Sequence, residues 1–347
     1  MSAPVDPLRH QPYFPALRPE WLALHHEEVI DPELRIVDAH HHLWETPGFA
    51  YACGELLADA RSGHNVRTTV FVDCGSHYRE LGPEALRPVG ETEFVVTQTA
   101  ARMQGEARLC AGIVGWADLR LGTGVQQVLE QHIEAGQGRF RGLRSRATWH
   151  ADPVLNPAVG SANGGQPGLL LEPPVQQAAK LLGQLDLSLD VWVFHTQLQD
   201  VARLAEACPE TRLVLNHCGG PVGVGPFQER RSEVFRDWHA GMRALAAHDN
   251  IVVKLGGLAM PRMGFGFHEA AIPVGSVVVA TAWAPYIEAC VAAFGVERCM
   301  FESNFPVDKV SCSYVAVWNA FKHVTQACSS AEKTALFSET ATRVYRL

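Results

Sequence analysis

Read as a pattern of apolar and polar positions, the chain repeats one unit. A short run rich in Val, Ile and Leu ends on Gly, His, Asn or Asp, and an amphipathic stretch follows. Eight such runs predict strands: RIVDAH (35–40), TTVFVDCG (68–75), LCAGIVGWADL (109–119), FRGLRSR (140–146), LDVWVFHT (189–196), RLVLNHCGG (212–220), NIVVKLGG (250–257) and RCMFESNFP (298–306). Between them, segments such as ETEFVVTQTAARMQ (91–104), VQQVLEQHIEAG (125–136), VQQAAKLLGQL (175–185), LQDVARLAEACP (198–209) and VFRDWHAGMRALAAH (234–248) space apolar residues three and four apart, as one face of a helix requires. Strand then helix, eight times over, predicts an α/β fold whose parallel sheet closes into a (β/α)8 TIM-like barrel. An open doubly wound sheet is the alternative, but no G-x-G-x-x-G fingerprint opens the first helix. One domain is expected over 35–347, with C-terminal helices after 311 and an irregular N-terminal arm over 1–34.

Two connections exceed what a barrel needs, 151–174 after the fourth strand and 258–278 after the seventh, both rich in Gly and Pro. Long loops at the C-terminal rim of a barrel are where sites are built. They are expected to wall the mouth, the second with an apolar lining from Met260, Met263, Phe265 and Phe267.

Composition narrows the partners. The chain is 47% hydrophobic and 19% charged, with a formal net charge of −8 and no run of Lys or Arg, so it offers no footprint for nucleic acid or an anionic membrane. A small-molecule substrate is the expected partner, with a homo-oligomer left open. Neither a membrane span nor a secretory leader is evident, which gives a cytoplasmic expectation. The nine cysteines are scattered, with no pair at the two-residue gap of zinc or redox motifs, and read as reduced thiols.

Candidate chemistry concentrates at the predicted strand ends. In IVDAHHHLW (36–44), alternation along a strand puts His40 and His42 on one side, with Asp38 sharing their parity, and sends His41 to the other as a structural residue. His195 and His217 end the fifth and sixth runs. Neutral imidazoles converging at one rim suit a divalent cation such as zinc, so His40, His42, His195 and His217 form the expected metal set. Trp44 beside the pair is a candidate pocket wall.

The segments DAHHHLW (38–44), ETEF (91–94), VGWADL (114–119), RGLR (141–144), NHCGG (216–220) and MFESNFPVD (300–308), in that order, resemble the amidohydrolase superfamily, and more closely its amidohydrolase 2 branch of sugar and dicarboxylate lactonases. The resemblance runs from about residue 35 onward. It implies a distorted barrel, hydrolysis of a cyclic ester by activated water, and metal or substrate binding by His40, His42, His195 and His217. It also implies that some members work without metal, the imidazoles polarising the lactone carbonyl while basic residues after the fourth strand hold a substrate carboxylate. Among Arg141, Arg144 and Arg146, strand parity favours Arg144 and Arg146 together for that role, since a guanidinium fork grips a carboxylate through parallel hydrogen bonds.

One departure from the family matters. Relatives carry a water-activating aspartate near the end of the eighth strand in a Gly-Ser-Asp-Trp-Pro context; the matching stretch here is Glu302-Ser303-Asn304-Phe305-Pro306. An amide can ligate or hydrogen-bond but cannot take a proton from water near neutral pH. Glu302 and Asp308 are the carboxylates left to stand in: Glu302 facing inward and ion-paired with Lys254, Asp308 the more exposed base. Glu91 and Glu93 need no role beyond favouring a helix macrodipole. The reading that results is a lactonase-like hydrolase. Its alternatives are a metal-dependent decarboxylase, which the missing aspartate favours, and a barrel that binds without turnover.

Overall fold

The computed structural model describes residues 15–46, 49–100, 107–156 and 165–347. Eight parallel strands form the main sheet: β1 (Arg35–His41), β4 (Asn65–Val72), β5 (Arg108–Gly115), β6 (Phe140–Arg146), β7 (Ser188–Trp192), β8 (Leu213–Leu215), β9 (Ile251–Leu255) and β10 (Cys299–Phe301), neighbours in that order; β2 (Trp44–Thr46) and β3 (Phe49–Tyr51) make a separate hairpin. A parallel bridge between His41 and Phe305 joins the two edges, with the His42 amide donating to the Phe305 carbonyl (2.7 Å) and the Asn304 amide to the His40 carbonyl (2.9 Å). The result is a distorted (β/α)8 barrel whose seam runs through the His triplet.

Helices follow the strands as the spacing predicts, for example Gln126–Ala135, Leu198–Ala207 and Arg231–Leu245. Helix Leu198–Ala207 buries Leu198, Val201, Leu204 and Ala205, one apolar stripe laid on the barrel. Helix Pro173–Gln184 opens on Pro173, whose missing amide hydrogen is not needed in a first turn. Helix Ser276–Phe294 is long and apolar enough to cross a membrane, with mean hydropathy 1.6, yet it packs Trp283, Tyr286, Ile287 and Cys290 into the core. The barrel interior is filled by Val37, Ala39, Val70, Val72, Val114, Val214, Val252 and Met300, plugged from one end by Ala341, Val344 and Tyr345 of helix Thr340–Tyr345.

The observed strands are shorter than the apolar runs. β7 stops at Trp192 and β8 at Leu215, so His195 and His217 open single 3-10 turns, His195–Gln197 and His217–Gly219. Side-chain alternation does not govern residues there. Alternation also breaks inside β1. Val37 and Ala39 face the interior cluster, and an irregularity between Asp38 and His41 then turns His40 inward as well. Asp38 therefore does not share a side with His40 and His42. It faces the seam, where it accepts from the Ser303 amide (2.9 Å), the Ser303 hydroxyl (2.6 Å) and the Tyr314 hydroxyl (3.0 Å), and burial pushes its carboxyl up to about 6. His41 turns outward against Phe71 and bonds Thr69 Oγ1 (2.8 Å).

Of the two long loops, residues 157–164 lie outside the described residues. The rest contributes Leu155, Met260 and Met263 to a buried apolar cluster with Trp44, Trp192, Phe194, Val222, Val307 and Val310, against which Phe265 packs. Both loops thus add apolar wall beside the His triplet.

Candidate active site

Three histidines meet at the C-terminal ends of the strands. The ring centroids of His40 and His42 are 4.8 Å apart, those of His40 and His217 4.7 Å, and the Nε2 atoms of His40 and His42 stand 3.3 Å apart. Glu302 ties two of them together. Its Oε1 accepts from His217 Nδ1 (2.6 Å) and from the His217 amide (3.1 Å), while Oε2 lies 3.0 Å from His40 Nδ1 without making a hydrogen bond. All four residues are buried. Burial first, and then Lys254 for His40 and Arg144 for His42, holds both rings well below the usual imidazole pKa, so each is neutral at pH 7. His217 is lowered by burial too, with Glu302 opposing the shift.

Local sequence makes room for this. His217 adopts a left-handed φ of 55° that swings its ring toward Glu302. Gly256 and Gly257, directly after β9, leave space that side chains could not: a Cβ on Gly257 would lie 2.4 Å from His217 Nδ1, and one on Gly256 would collide with Glu302.

A second layer fixes the first. Lys254 is fully buried and pairs with Asp190 (Nζ to Oδ2, 2.8 Å), not with Glu302 as expected; its Nζ also lies 3.2 Å from His40 Nδ1. Asp190 accepts in addition from Asn216 Nδ2 (2.9 Å) and the Tyr345 hydroxyl (2.9 Å). Sequence reasoning passed over Asp190, Asn216 and Tyr345. The signal was there: LDVWV and IVVKL each carry one charge inside an apolar run, of opposite sign, and buried charges require partners.

On the other side of His40, Arg144 and Arg146 flank Asp73, another residue not foreseen. Arg144 donates to the Asp73 carbonyl and to its Oδ2 (3.3 Å), and its Nη1 lies 3.5 Å from His40 Nε2. Arg146 Nε is 3.4 Å from Asp73 Oδ2, but Nε and Nη2 of Arg146 are buried without a hydrogen-bond partner. Arg141 points away, donating to the carbonyls of Gly138 and Phe140 (2.8 and 2.9 Å). Behind Asp73, Glu91 does more than favour a helix end. It is buried and accepts from the amides of Cys74 and Ser76 (3.1 and 2.9 Å), which fixes the loop after β4; burial, with Asp73 next, pushes its carboxyl up to about 8. Trp44 stacks on His42, centroids 5.1 Å apart.

Two expected site residues stand elsewhere. His195 donates its amide to the Gly220 carbonyl (2.9 Å), its Nδ1 accepts from the Val222 amide (3.3 Å), and its ring meets Phe227 (4.7 Å between centroids); it borders an open groove with Arg230, Glu233 and Asp237. The structure does not bring it to the other three histidines. Asp308 is not exposed: at 1% accessibility it sits behind Asn304, accepting from Asn304 Nδ2 (2.8 Å) on one oxygen and the Ala259 amide (3.0 Å) on the other. Burial pushes its carboxyl well above the usual range. Asn304 Oδ1 is left buried and unpartnered.

The donor set suits a divalent cation on one side of His40 only. Donor atoms of His40, His217 and Glu302 fall within 4.8 Å of one another. On the Nδ1 side, however, they are already joined to each other, with the Lys254 ammonium adjacent. The spacing on the Nε2 side fits, although the Arg144 guanidinium stands 3.5 Å from His40 Nε2. Nitrogens each about 2.05 Å from a tetrahedral zinc stand roughly 3.3 Å apart, which is the separation of His40 and His42. The Val72 carbonyl on His42 Nδ1 (2.7 Å) is the kind of outer partner that orients a ligating imidazole.

An eight-stranded barrel with histidines and carboxylates at its C-terminal mouth defines a class of hydrolytic and related enzymes. The chain belongs to the amidohydrolase family, whose model matches residues 37–347. An uncharacterized protein of Sinorhizobium fredii is 31% identical over 340 residues, covering 91% of this chain and 99% of its own. An L-fucono-1,5-lactonase of Burkholderia multivorans is 27% identical over 333 residues, covering 90% and 96%. Two crystal forms of an amidohydrolase from Burkholderia multivorans, one with bound HEPES and one with bound zinc, superpose with a TM-score of 0.69. They are 25% and 24% identical and cover 90% of this chain and 99% of that one.

Proposed function

We propose that the protein hydrolyses a lactone by attack of an activated water. The observation that carries the reading is the buried His217–Glu302 pair, 2.6 Å apart. Glu302 Oε1 can only accept, so His217 carries its hydrogen on Nδ1 and leaves a lone pair on Nε2. His217 Nε2 takes the proton from water as it adds to the carbonyl carbon, and Glu302 stabilises the imidazolium that forms; when the tetrahedral adduct collapses, the ester C–O bond breaks and His217 returns the proton to the leaving ring oxygen, the division of labour of a carboxylate-backed histidine base. This supplies the basic atom that Asn304 lacks.

Arg144 sets a fixed positive field beside His40, where negative charge grows on the carbonyl oxygen. Arg146 Nε and Nη2 donate to an anionic or hydroxyl oxygen of the substrate, and Asn304 Oδ1 accepts from a hydroxyl. Trp44 walls the pocket beside His42. Nε2 of His40 and His42 would hold a divalent cation, which would supply Lewis acidity. The lactonase relatives support a polyhydroxylated lactone as the substrate class.

Turnover of a panel of sugar-acid and dicarboxylate lactones, followed by proton release, tests the proposal. Full activity in both His217→Ala and His42→Ala proteins would refute it. The amide at Asn304 favours a second reading, decarboxylation of an aromatic acid, because that reaction needs no water-activating base. Carbon dioxide evolved from benzoate-type acids with no proton yield from lactones would select it.

A further inference from the structure

The N-terminal arm precedes the stretch 37–347 that the amidohydrolase model matches, yet it is tied to the barrel mouth. Its base sits on helix Tyr314–Val324: the Ile30 amide donates to Asn319 Oδ1 (2.9 Å), Asn319 Nδ2 to the Glu28 carbonyl (2.8 Å), and Lys322 Nζ to the carbonyls of Ile30 and Asp31 (2.7 and 2.8 Å). Further toward its start, the arm grips the far end of the loop after β9. Glu27 Oε2 accepts from the Ser276 hydroxyl (2.6 Å) and amide (3.3 Å), the cap that Gly275 has no side chain to supply to helix Ser276–Phe294. Trp21 Nε1 donates to the Ala270 carbonyl (3.1 Å), and Arg18, 4.1 Å over the Trp21 ring, donates to the His268 carbonyl. Leu17 then packs on the apolar cluster that holds Trp44 and Trp192, the indoles set against His42 and His217 at 5.1 and 4.7 Å between centroids.

The two ends of that loop are held differently. The barrel holds the near end: the Ala259 amide donates to Asp308 (3.0 Å), the Ser311 hydroxyl to the Ala259 carbonyl (2.7 Å), the Gly223 amide to the Arg262 carbonyl (3.0 Å) and Arg231 to the Met263 carbonyl (2.8 Å). Among the described residues, the hydrogen bonds that join 267–274 to anything outside their own loop come from Arg18 and Trp21. We propose that the arm belongs to the substrate site. Arg18 and Trp21 are positioning residues that hold the loop, and with it Met260 and Met263, against the mouth, and Leu17 completes the apolar wall beside Trp44. A wall ordered before substrate arrives spares binding the entropy of ordering it. Freed at its far end, the loop would have to be ordered by the substrate, so the cost falls on KM and not on kcat. The proposal rests on the lactone reading for the substrate site it completes.

Two measurements on the full chain decide this. The double variant Arg18→Met/Trp21→Phe removes both donors and leaves the barrel untouched. Amide hydrogen exchange is expected to run about tenfold or more faster over residues 264–274 in this variant than in the wild type, with the barrel strands unchanged, as the loss of two hydrogen bonds from a locally opening segment requires. Equal exchange in the two proteins overturns the proposal. Steady-state kinetics is then read on the lactone turned over best or, if no lactone is turned over, on the benzoate-type acid. The double variant and Leu17→Ala are each expected to raise KM by roughly three- to tenfold, with kcat within about twofold. A loop that loosens while KM stays put also overturns it, because the arm would then be a structural tie with no part in the site. Hydrogen exchange needs no turnover, so this inference and the lactone reading fail separately.

Discussion

His217 and His195 start out alike: each follows an apolar strand, each opens a single 3-10 turn, and each is buried. What separates them is what their rings meet. His217, in a left-handed backbone conformation, enters space left by Gly257 and finds Glu302. His195 meets a backbone amide and the edge of Phe227. A histidine at a barrel mouth becomes a base or ligand through the group that holds its far nitrogen, not through its place at the end of a strand.

The sharpest way to break that contrast is to remove the holder. Glu302→Gln keeps the shape but takes the charge from beside His217. A fall in kcat of about 10³- to 10⁴-fold is expected, as when the carboxylate behind a catalytic histidine becomes an amide. Steady-state kinetics on the lactone best turned over checks it, and a loss below tenfold would remove Glu302 from the mechanism.

The next effect is on binding. Both arginines pair with Asp73, but Nε and Nη2 of Arg146 are buried without a hydrogen bond, whereas Arg144 hydrogen-bonds it. Charge-assisted hydrogen bonds contribute about 1.5–3 kcal/mol, so Arg146→Met is expected to raise KM by roughly 10- to 100-fold with a smaller change in kcat. A variant whose KM stays put would place the substrate away from β6.

How far the sequence could foretell this depends on which rule governs each residue. Periodicity announces the eight strands and the barrel, because repeated burial of the same pattern leaves little choice of architecture. It puts Arg144 and Arg146 inside, since alternation holds along regular strands. It fails at Asp38, where an irregularity in β1 reverses the alternation, and at His195 and Asp308, which lie past the strand ends where no period applies. The opposite charges in LDVWV and IVVKL call for buried partners, but which group meets Lys254 is settled only by barrel closure, since Asp190, Tyr345 and Lys254 are distant in the chain.

A third test concerns the support behind Asp73. The Glu91 carboxyl is raised from 4.5 to about 8 in the folded protein, chiefly by burial and then by Asp73. The folded state therefore binds the proton more tightly than the unfolded one. The contribution is fully present below pH 4.5 and is lost as pH rises through about 8. Asp38, raised to about 6, acts in the same sense over a lower range. Thermal unfolding followed from pH 6.5 to 9 is expected to show Tm falling, and Glu91→Gln to flatten that fall. An equally steep decline in the variant would assign the slope to other groups.

The smallest expected effect is the one that closes the comparison. Burial holds His195 down at about 4, so it is neutral throughout the working range. Its Nδ1 is occupied by the Val222 amide, and its ring edges a groove that also contains Arg230 and Glu233. Removing the side chain takes away one backbone hydrogen bond and one aromatic contact, about 1–2 kcal/mol of stability together. His195→Ala is therefore expected to change kcat and KM by no more than about threefold, within the roughly 1 kcal/mol of an ordinary substitution away from the chemistry, and to leave zinc affinity unaltered. If kcat or zinc affinity instead fell as far in His195→Ala as in His42→Ala, the two histidines would belong to one site, and the ring of His195 would have to swing from Phe227 toward His217 when the site is filled.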